Sequence, residues 1–285
     1  MSNTVFVTGA SGTTGRELVR MLADRDVQVR AGVHTPATAD FGPGVDVREI
    51  DLTDADSLRS AFGGVSKLYL LTPFVPDGTE MVRTAVDAAV EAGVEHVVRH
   101  SALGAGAADF LPARWHREGE EVVEESGLAY THLRPTAFMQ NLLMQADAIG
   151  DGAFYGTVTE PISHVDARDV AAVAAAVLTD ESESHAGEAY HLTGPAALTY
   201  EEVAGELSDV LGHDVRYVQV SEADMRGSLA ERGMPAELVD AFVELQAWFD
   251  AGNGREVSPD VEAITGVAAT PFGTFAADYA EAFRG

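Results

Sequence analysis

Near the start of the chain three glycines, Gly9-x-x-Gly12-x-x-Gly15, stand between two runs of opposite character. Val5-Phe6-Val7 is short, apolar and rich in branched side chains, as suits a strand buried on both faces of a parallel sheet. Leu18, Val19, Met21 and Leu22 fall on one stripe of the helix that follows. Chemistry gives each glycine a reason. One permits a tight turn, one lets backbone N–H groups approach a pyrophosphate, and one lets helix and strand pack closely. The helix that starts here also aims its positive end at those phosphates. A Gly-rich turn without a ligand is the plain alternative, but it gives no reason for a strand before and a helix after. The expected cradle is Gly9, Ser11, Gly12, Thr13, Thr14 and Gly15.

Other residue types along the chain could do chemistry. His116 can act as a general acid, because imidazole titrates near neutrality, or can simply sit on a helix surface. Phe74, Phe138 and Met139 suit an apolar substrate wall, and ordinary packing accounts for them equally well. Asn141 interrupts an apolar stretch and needs a partner if buried. The histidines form no H-E-x-x-H array, so no metal site is expected.

Strands and helices must alternate to position these groups. Strands are expected at 27–33, 45–50, 67–72, 94–101, 128–133 and 188–193. Helices fall between them: one capped by Asp54 and carrying Leu58 and Phe62, one over 79–92 ending at Gly93, one over 113–125, and an Ala/Val-rich one to Leu178. Asp180 to Ser184 reads as a surface loop. This repetition without hairpin signals predicts an α/β fold, a doubly wound parallel Rossmann sheet whose ligands bind beyond the carboxyl ends of the strands. Gly9 to Gly15, His34, Asp51, Thr72, Pro73, Phe74 and Ser101 then share one crevice. From Leu198 the pattern changes. Thr199 caps a helix with Glu202 at capping-box spacing, 215–220 is a short strand, and helices follow from Ser221, Pro235 and Pro271. The expected division is a dinucleotide domain of 1–154 with 163–194, and a smaller mixed C-terminal substrate lobe of 155–162 with 195–285.

Composition bounds the partners. There is no cysteine, which excludes disulfides, thiol catalysis and Cys-ligated zinc. Acidic residues number 46 against 18 basic ones, of which only Lys67 is lysine, and the formal charge is −28. Such a surface repels nucleic acid and anionic membrane. With no long apolar run and no leader pattern, the reading is a soluble cytoplasmic protein with a small-molecule substrate.

The glycine spacing is similar to that of short-chain dehydrogenase/reductase relatives, and further segments narrow the resemblance. Leu133-Arg134-Pro135-Thr136-Ala137-Phe138-Met139-Gln140-Asn141 resembles the NmrA-like branch. So do Asp51-Leu52-Thr53-Asp54, His164-Val165-Asp166-Ala167-Arg168-Asp169, and Gly187 to Gly194 with Thr199-Tyr200-Glu201-Glu202. The resemblance implies NAD(P) binding with Asp51 and Leu52 near the cofactor, and NADP ahead of NAD. It implies either an NAD(P)H-dependent reductase of quinones or similar electron-poor carbonyls, or a non-catalytic redox sensor acting through a protein partner. It also sets Ser101 beside the nicotinamide, although a serine that merely ends a strand fits as well. Two departures stand out. His34 occupies the place where NADP-preferring relatives carry arginine, which leaves Arg30 as the other cation for a 2′-phosphate, and no acidic residue lies between Arg30 and Thr38 to hold a ribose hydroxyl. No tyrosine has a lysine four residues on, which disfavours the usual Tyr/Lys proton relay for alcohols.

The acidity also suits a protein kept hydrated in concentrated salt. On that reading, screening of self-repulsion raises the melting temperature steadily toward molar potassium chloride. A flat or falling melting temperature over that range would reject it.

Overall fold

The computed structural model describes residues 3–36, 40–182 and 184–284, so Thr38 and Glu183 lie outside it. In chain order the first elements are β1 (Thr4–Val7), α1 (Thr13–Ala23), β2 (Gln28–Val33), β3 (Val45–Glu49), α2 (Ala55–Phe62), β4 (Lys67–Leu70), α3 (Gly78–Ala92), β5 (His96–His100), α4 (Leu111–Glu125) and β6 (Ala129–Pro135). Then come α5 (Ala146–Gly150), β7 (Ala153–Gly156), α6 (Ala167–Thr179), β8 (Glu188–Leu192), α7 (Tyr200–Leu211) and β9 (Arg216–Gln219). The chain closes with α8 (Glu222–Glu231), α9 (Ala236–Trp248), α10 (Asp260–Thr265), α11 (Phe272–Asp278) and α12 (Ala280–Arg284).

The main sheet runs β3-β2-β1-β4-β5-β6-β8. Val5 pairs with Val29 on one side and Lys67 on the other, and His96 pairs with Lys67 and Ala129, all in parallel register. Strand order reverses between β1 and β4, and such a switch point opens a crevice at the carboxyl ends of the strands. The predicted doubly wound sheet is therefore present. On one face Phe6, Leu68, Leu70 and Val97 pack with Leu58 and Phe62 of α2, Val86 of α3 and Val123 of α4. On the other, α1 lies against α6.

Local signals place the helix ends. Asp54 accepts hydrogen bonds from the Asp56 and Ser57 amides at the start of α2. Gly93 ends α3 at φ 75°, a left-handed conformation that favours glycine. Thr199 and Glu202 form the reciprocal capping box of α7.

The chain clusters into two compact units. The first comprises residues 1–108, 113–134 and 167–191, and the second 109–112, 135–166 and 192–285. This differs from the sequence division, since residues 109–112, 135–154, 163–166 and 192–194 group with the second unit. The reason is hydrophobic. Met139, Leu142, Ile149 and Phe154 share a core with Val203, Leu207, Phe272 and Phe275. Within that unit β7 pairs in parallel with β9, a partnership the sequence pattern does not signal. Residues 162–165, whose pattern suggests a strand, form only isolated bridges, Phe138 with Val165 and Ile162 with Leu198. The terminal helix is broken into α11 and α12. Thr136, Ala137 and Phe138 lead into a 3-10 segment over Met139–Gln145.

Candidate active site

The glycine loop folds so that each glycine has a separate duty. Gly9 adopts φ 61°, and its carbonyl accepts from the Gly12 amide at 2.9 Å to close the turn. A Cβ at Gly15 would lie 2.2 Å from the Gly9 carbonyl oxygen, so the strand and helix meet there only through glycine. Gly12 is different. Its backbone is extended, and a Cβ there would meet only the Gly9 oxygen, at 3.2 Å. The protein's own packing is looser here than at Gly15, and Gly12 is exposed, so its backbone is open to close approach. No side chain caps α1, and its first turn has no acidic residue, so its N-terminal amides face outward with the helix dipole behind them. Ser11, Gly12 and Thr13 are exposed, while Thr14 is buried beneath them.

Thr8 fixes this loop to its neighbour. Its Oγ1 donates to the Leu71 carbonyl oxygen at 2.9 Å and accepts from the Leu71 amide at 2.8 Å. Asp51 shapes a third loop, accepting from the amide and hydroxyl of Thr53, and these bonds hold its carboxyl below the usual carboxylate range. Leu52 is half-buried beside it. His34 is exposed at the end of β2.

Arg30 is placed otherwise than the sequence suggests. Its Nη1 donates to the carbonyls of Ala61 and Gly63 at the end of α2, and its Nε lies 3.5 Å from Asp46. A guanidinium answering helix C-terminal carbonyls is drawn away from a 2′-phosphate. A cation missed by the sequence reading stands nearer the cradle. Arg16 donates from Nε to the Ser11 carbonyl at 2.9 Å, and its guanidinium lies 5.9 Å from the Phe41 ring centroid. Its position one residue after Gly15 was the available signal.

At the ends of β4 and β5 the groups are more enclosed. Ser101 is 1% exposed and donates to Oε1 of Glu120 at 2.6 Å. Glu120 is fully buried and is held in a fork by Arg134 at 2.9 and 2.7 Å, with Arg117 at 3.0 Å on Oε2. Burial alone would raise this carboxyl. Hydrogen bonds from Arg134 and Ser101, with the charges of His132 and Arg134, reverse that and bring it down to about 2. The proton of Ser101 is thus committed to a carboxylate, and the side chain is sealed, which weighs against the expected catalytic hydroxyl. Three charges inside one strand–helix–strand unit were visible in the sequence, but their pairing was not.

Glu120, Glu124 and His132 are close enough to resemble a metal-ligand set. Arg117 and Arg134 already occupy both carboxylates, so the arrangement is an ion-pair network. His96 bonds Thr131 and His100 bonds the Tyr69 hydroxyl. Lys67 donates to the Asp180 carbonyl, far along the chain from α4.

His116 presents a half-buried ring that stacks on Phe74 with centroids 6.4 Å apart, and Trp115 tilts against the same phenyl at 5.4 Å. Phe74 is 43% exposed, and Thr72 and Pro73 lead into it. The Thr72 hydroxyl accepts from Arg99 at 3.2 Å. The second unit holds the other expected substrate residues. Met139 is buried in that unit's core and helps line a cleft with Ile162, His164, Leu198 and Phe272. Phe138 is half-buried, and Asn141 is exposed, which removes the need for a buried partner.

A glycine turn into an uncapped helix at the switch point of a doubly wound sheet is the arrangement of dinucleotide-binding folds. Residues 1–275 match the NmrA-like family, to which the chain belongs. It is 40% identical over 98% of its length to an NAD(P)H azoreductase of Xenophilus azovorans, covering 99% of that protein. The structure of an Escherichia coli NADPH-dependent quinone oxidoreductase complexed with NADPH superposes with a TM-score of 0.85 at 30% identity, over 96% of this chain and 99% of that one. The triphenylmethane reductase of Citrobacter sp. complexed with NADP(H) gives 0.83 at 26% identity, over 97% and 99%. Each of these relatives is named as a reductase, which disfavours the sensor reading. No helix of the described residues is long and apolar enough to cross a membrane.

The Glu120 joint has a pH signature. A carboxyl depressed from near 4.5 to about 2 contributes stability that is complete above the unfolded value and lost as pH falls through the folded one. Glu120→Gln should cost about 3–5 kcal/mol by leaving Arg134 and Arg117 unpaired, and should flatten the acid limb of the melting curve. An unchanged melting temperature across that limb would show that the joint carries no weight.

Proposed function

We propose that this chain is an NAD(P)H-dependent reductase, NADPH first, that transfers hydride to quinones and similar electron-poor conjugated acceptors. One observation carries the reading: the uncapped start of α1, with an exposed glycine at position 12 whose bare backbone a ligand can approach closely. The relatives' activities supply the reaction class. Gly9 to Gly15 would hold the pyrophosphate, and the corner at Asp51 and Leu52 the adenosine side. Arg16, whose terminal nitrogens carry no partner among the described residues, joins exposed His34 as the receptor of a 2′-phosphate. The bound nicotinamide supplies the hydride. The chain's part is to orient the acceptor and exclude competing geometry, which needs no Tyr/Lys relay because the product oxygens take protons readily from water. Phe74 offers an exposed aromatic face suited to a planar acceptor.

With a small benzoquinone in high salt, the purified chain should oxidise NADPH, and Gly12→Val should abolish NADPH binding by calorimetry through blocked backbone approach. Tight binding by the Gly12→Val chain would overturn the cradle, and tight cofactor binding without turnover on any quinone, azo dye or enal would overturn the reductase.

The 2′-phosphate assignment has its own check. Arg16→Ala should weaken NADPH about tenfold and leave NADH nearly unchanged, as expected for loss of one charge-assisted contact. His34→Arg should tighten NADPH relative to NADH, because a permanent charge replaces a titrating one. If neither substitution moves the ratio, the 2′-phosphate is read elsewhere.

A further inference from the structure

The imidazole of His116 is enclosed on one side and open on the other. Its Nδ1 is buried without a hydrogen-bond partner. Its Nε2 is not enclosed, and among the described residues nothing bonds it. The ring feels the charge of Arg99, 3% exposed, whose guanidinium donates to the carbonyls of Leu70 and His100 and to the Thr72 hydroxyl. Every one of those partners is neutral, and among the described residues the buried Arg99 charge has no ion pair. Gly119 makes room for it: a Cβ there would lie 3.3 Å from an Arg99 terminal nitrogen. This gives a mid-helix glycine, which costs about 1 kcal/mol against alanine, a physical reason.

These facts constrain the proton on His116. The charged groups that face it are Arg99 from β5 and Glu120 from its own helix, with His100 from β5, itself pushed down to about 3 by burial and Arg99. Phe74 covers one face of the ring and carries no charge. Protonating Nδ1 would bury an N–H with no acceptor beside a cation. Burial first, and Arg99 second, outweigh the pull of Glu120 and push the imidazole down to about 3. The neutral ring with its proton on Nε2 leaves the donor on the open side, where water or a ligand satisfies it.

We propose that His116 serves the reduction as a neutral hydrogen-bond donor through Nε2–H, and not as a protonated general acid, its enclosed Nδ1 side keeping it neutral with Arg99 as a positioning residue that adds to this. The role rests on the reductase reading. An acceptor quinone that takes hydride from the reduced nicotinamide becomes a hydroquinone monoanion while the nicotinamide is oxidised. The charge falls on one oxygen, Nε2–H stabilises it there, and a proton from water completes the hydroquinone. His116 returns unchanged and needs no reprotonation.

The test uses the full chain with 15N-labelled histidine, and His116→Gln assigns the resonance. In the wild type the His116 signals should not titrate between about pH 5 and 8 and should show Nδ1 bare and Nε2 protonated. A midpoint inside that window overturns the proposal. Arg99→Gln should raise the midpoint above that of the wild type, and Arg99→Lys should leave it where it is; an unmoved midpoint in Arg99→Gln removes Arg99 from the account. In turnover, kcat with NADPH and benzoquinone should be flat over the same range. His116→Gln, whose amide can donate, should retain about tenfold more kcat than His116→Leu. Equal loss in both, or a kcat that falls with rising pH only when His116 is present, restores the general acid. If the wild type oxidises no NADPH, the reductase reading fails and the catalytic role with it, while the titration still reports on the imidazole by itself.

Discussion

A single buried carboxylate organises the polar side of the sheet. Glu120 is fully enclosed, yet four hydrogen-bond donors meet it: Ser101 from the end of β5, both arms of the Arg134 fork from β6, and Arg117 from its own helix. A charge taken out of water without such partners would cost several kcal/mol. Satisfied as it is, it fixes α4 over two strand ends, and α4 is the helix that carries Trp115, His116 and Gly119. The aromatic stack at Phe74 and the fit of Arg99 against Gly119 both depend on that helix being held at this height.

The same carboxylate stands four residues after His116, on the helix where a dehydrogenase of the commoner type would carry tyrosine and lysine at that spacing. The helix thus spends one of those positions on architecture, and on the proposed reading the other on a neutral donor. This is consistent with a reaction whose difficulty lies in positioning, since hydride transfer to an electron-poor acceptor asks little of a general acid.

How much of this could be read beforehand follows from the range of the forces involved. The strand–helix alternation, the Asp54 and Thr199 caps and the Gly93 stop are local, and the residues that make them lie within a few positions of one another. The glycine turn before α1 is local too. The surroundings of Arg30, Ser101 and the segment after Pro135 are not legible in the sequence, because their partners are remote. Arg30 is claimed by α2, Ser101 by a carboxylate 19 residues on, and Met139 by side chains of α7 and α11. Gly119 lies inside a helix and Arg99 inside an apolar strand, and only the packing pairs them.

The one lysine offers a different use of the structure. Lys67 opens β4 and its ammonium donates to the Asp180 carbonyl, in the loop that leaves α6. The other side-chain cations of the chain are guanidinium or imidazole, so side-chain acylation chemistry has a single address. That address is half-buried, and its ammonium is engaged by the Asp180 carbonyl. Acylation needs the amine free of its proton and of that bond, so the one modifiable side chain is a guarded one, at the end of the sheet opposite the glycine loop.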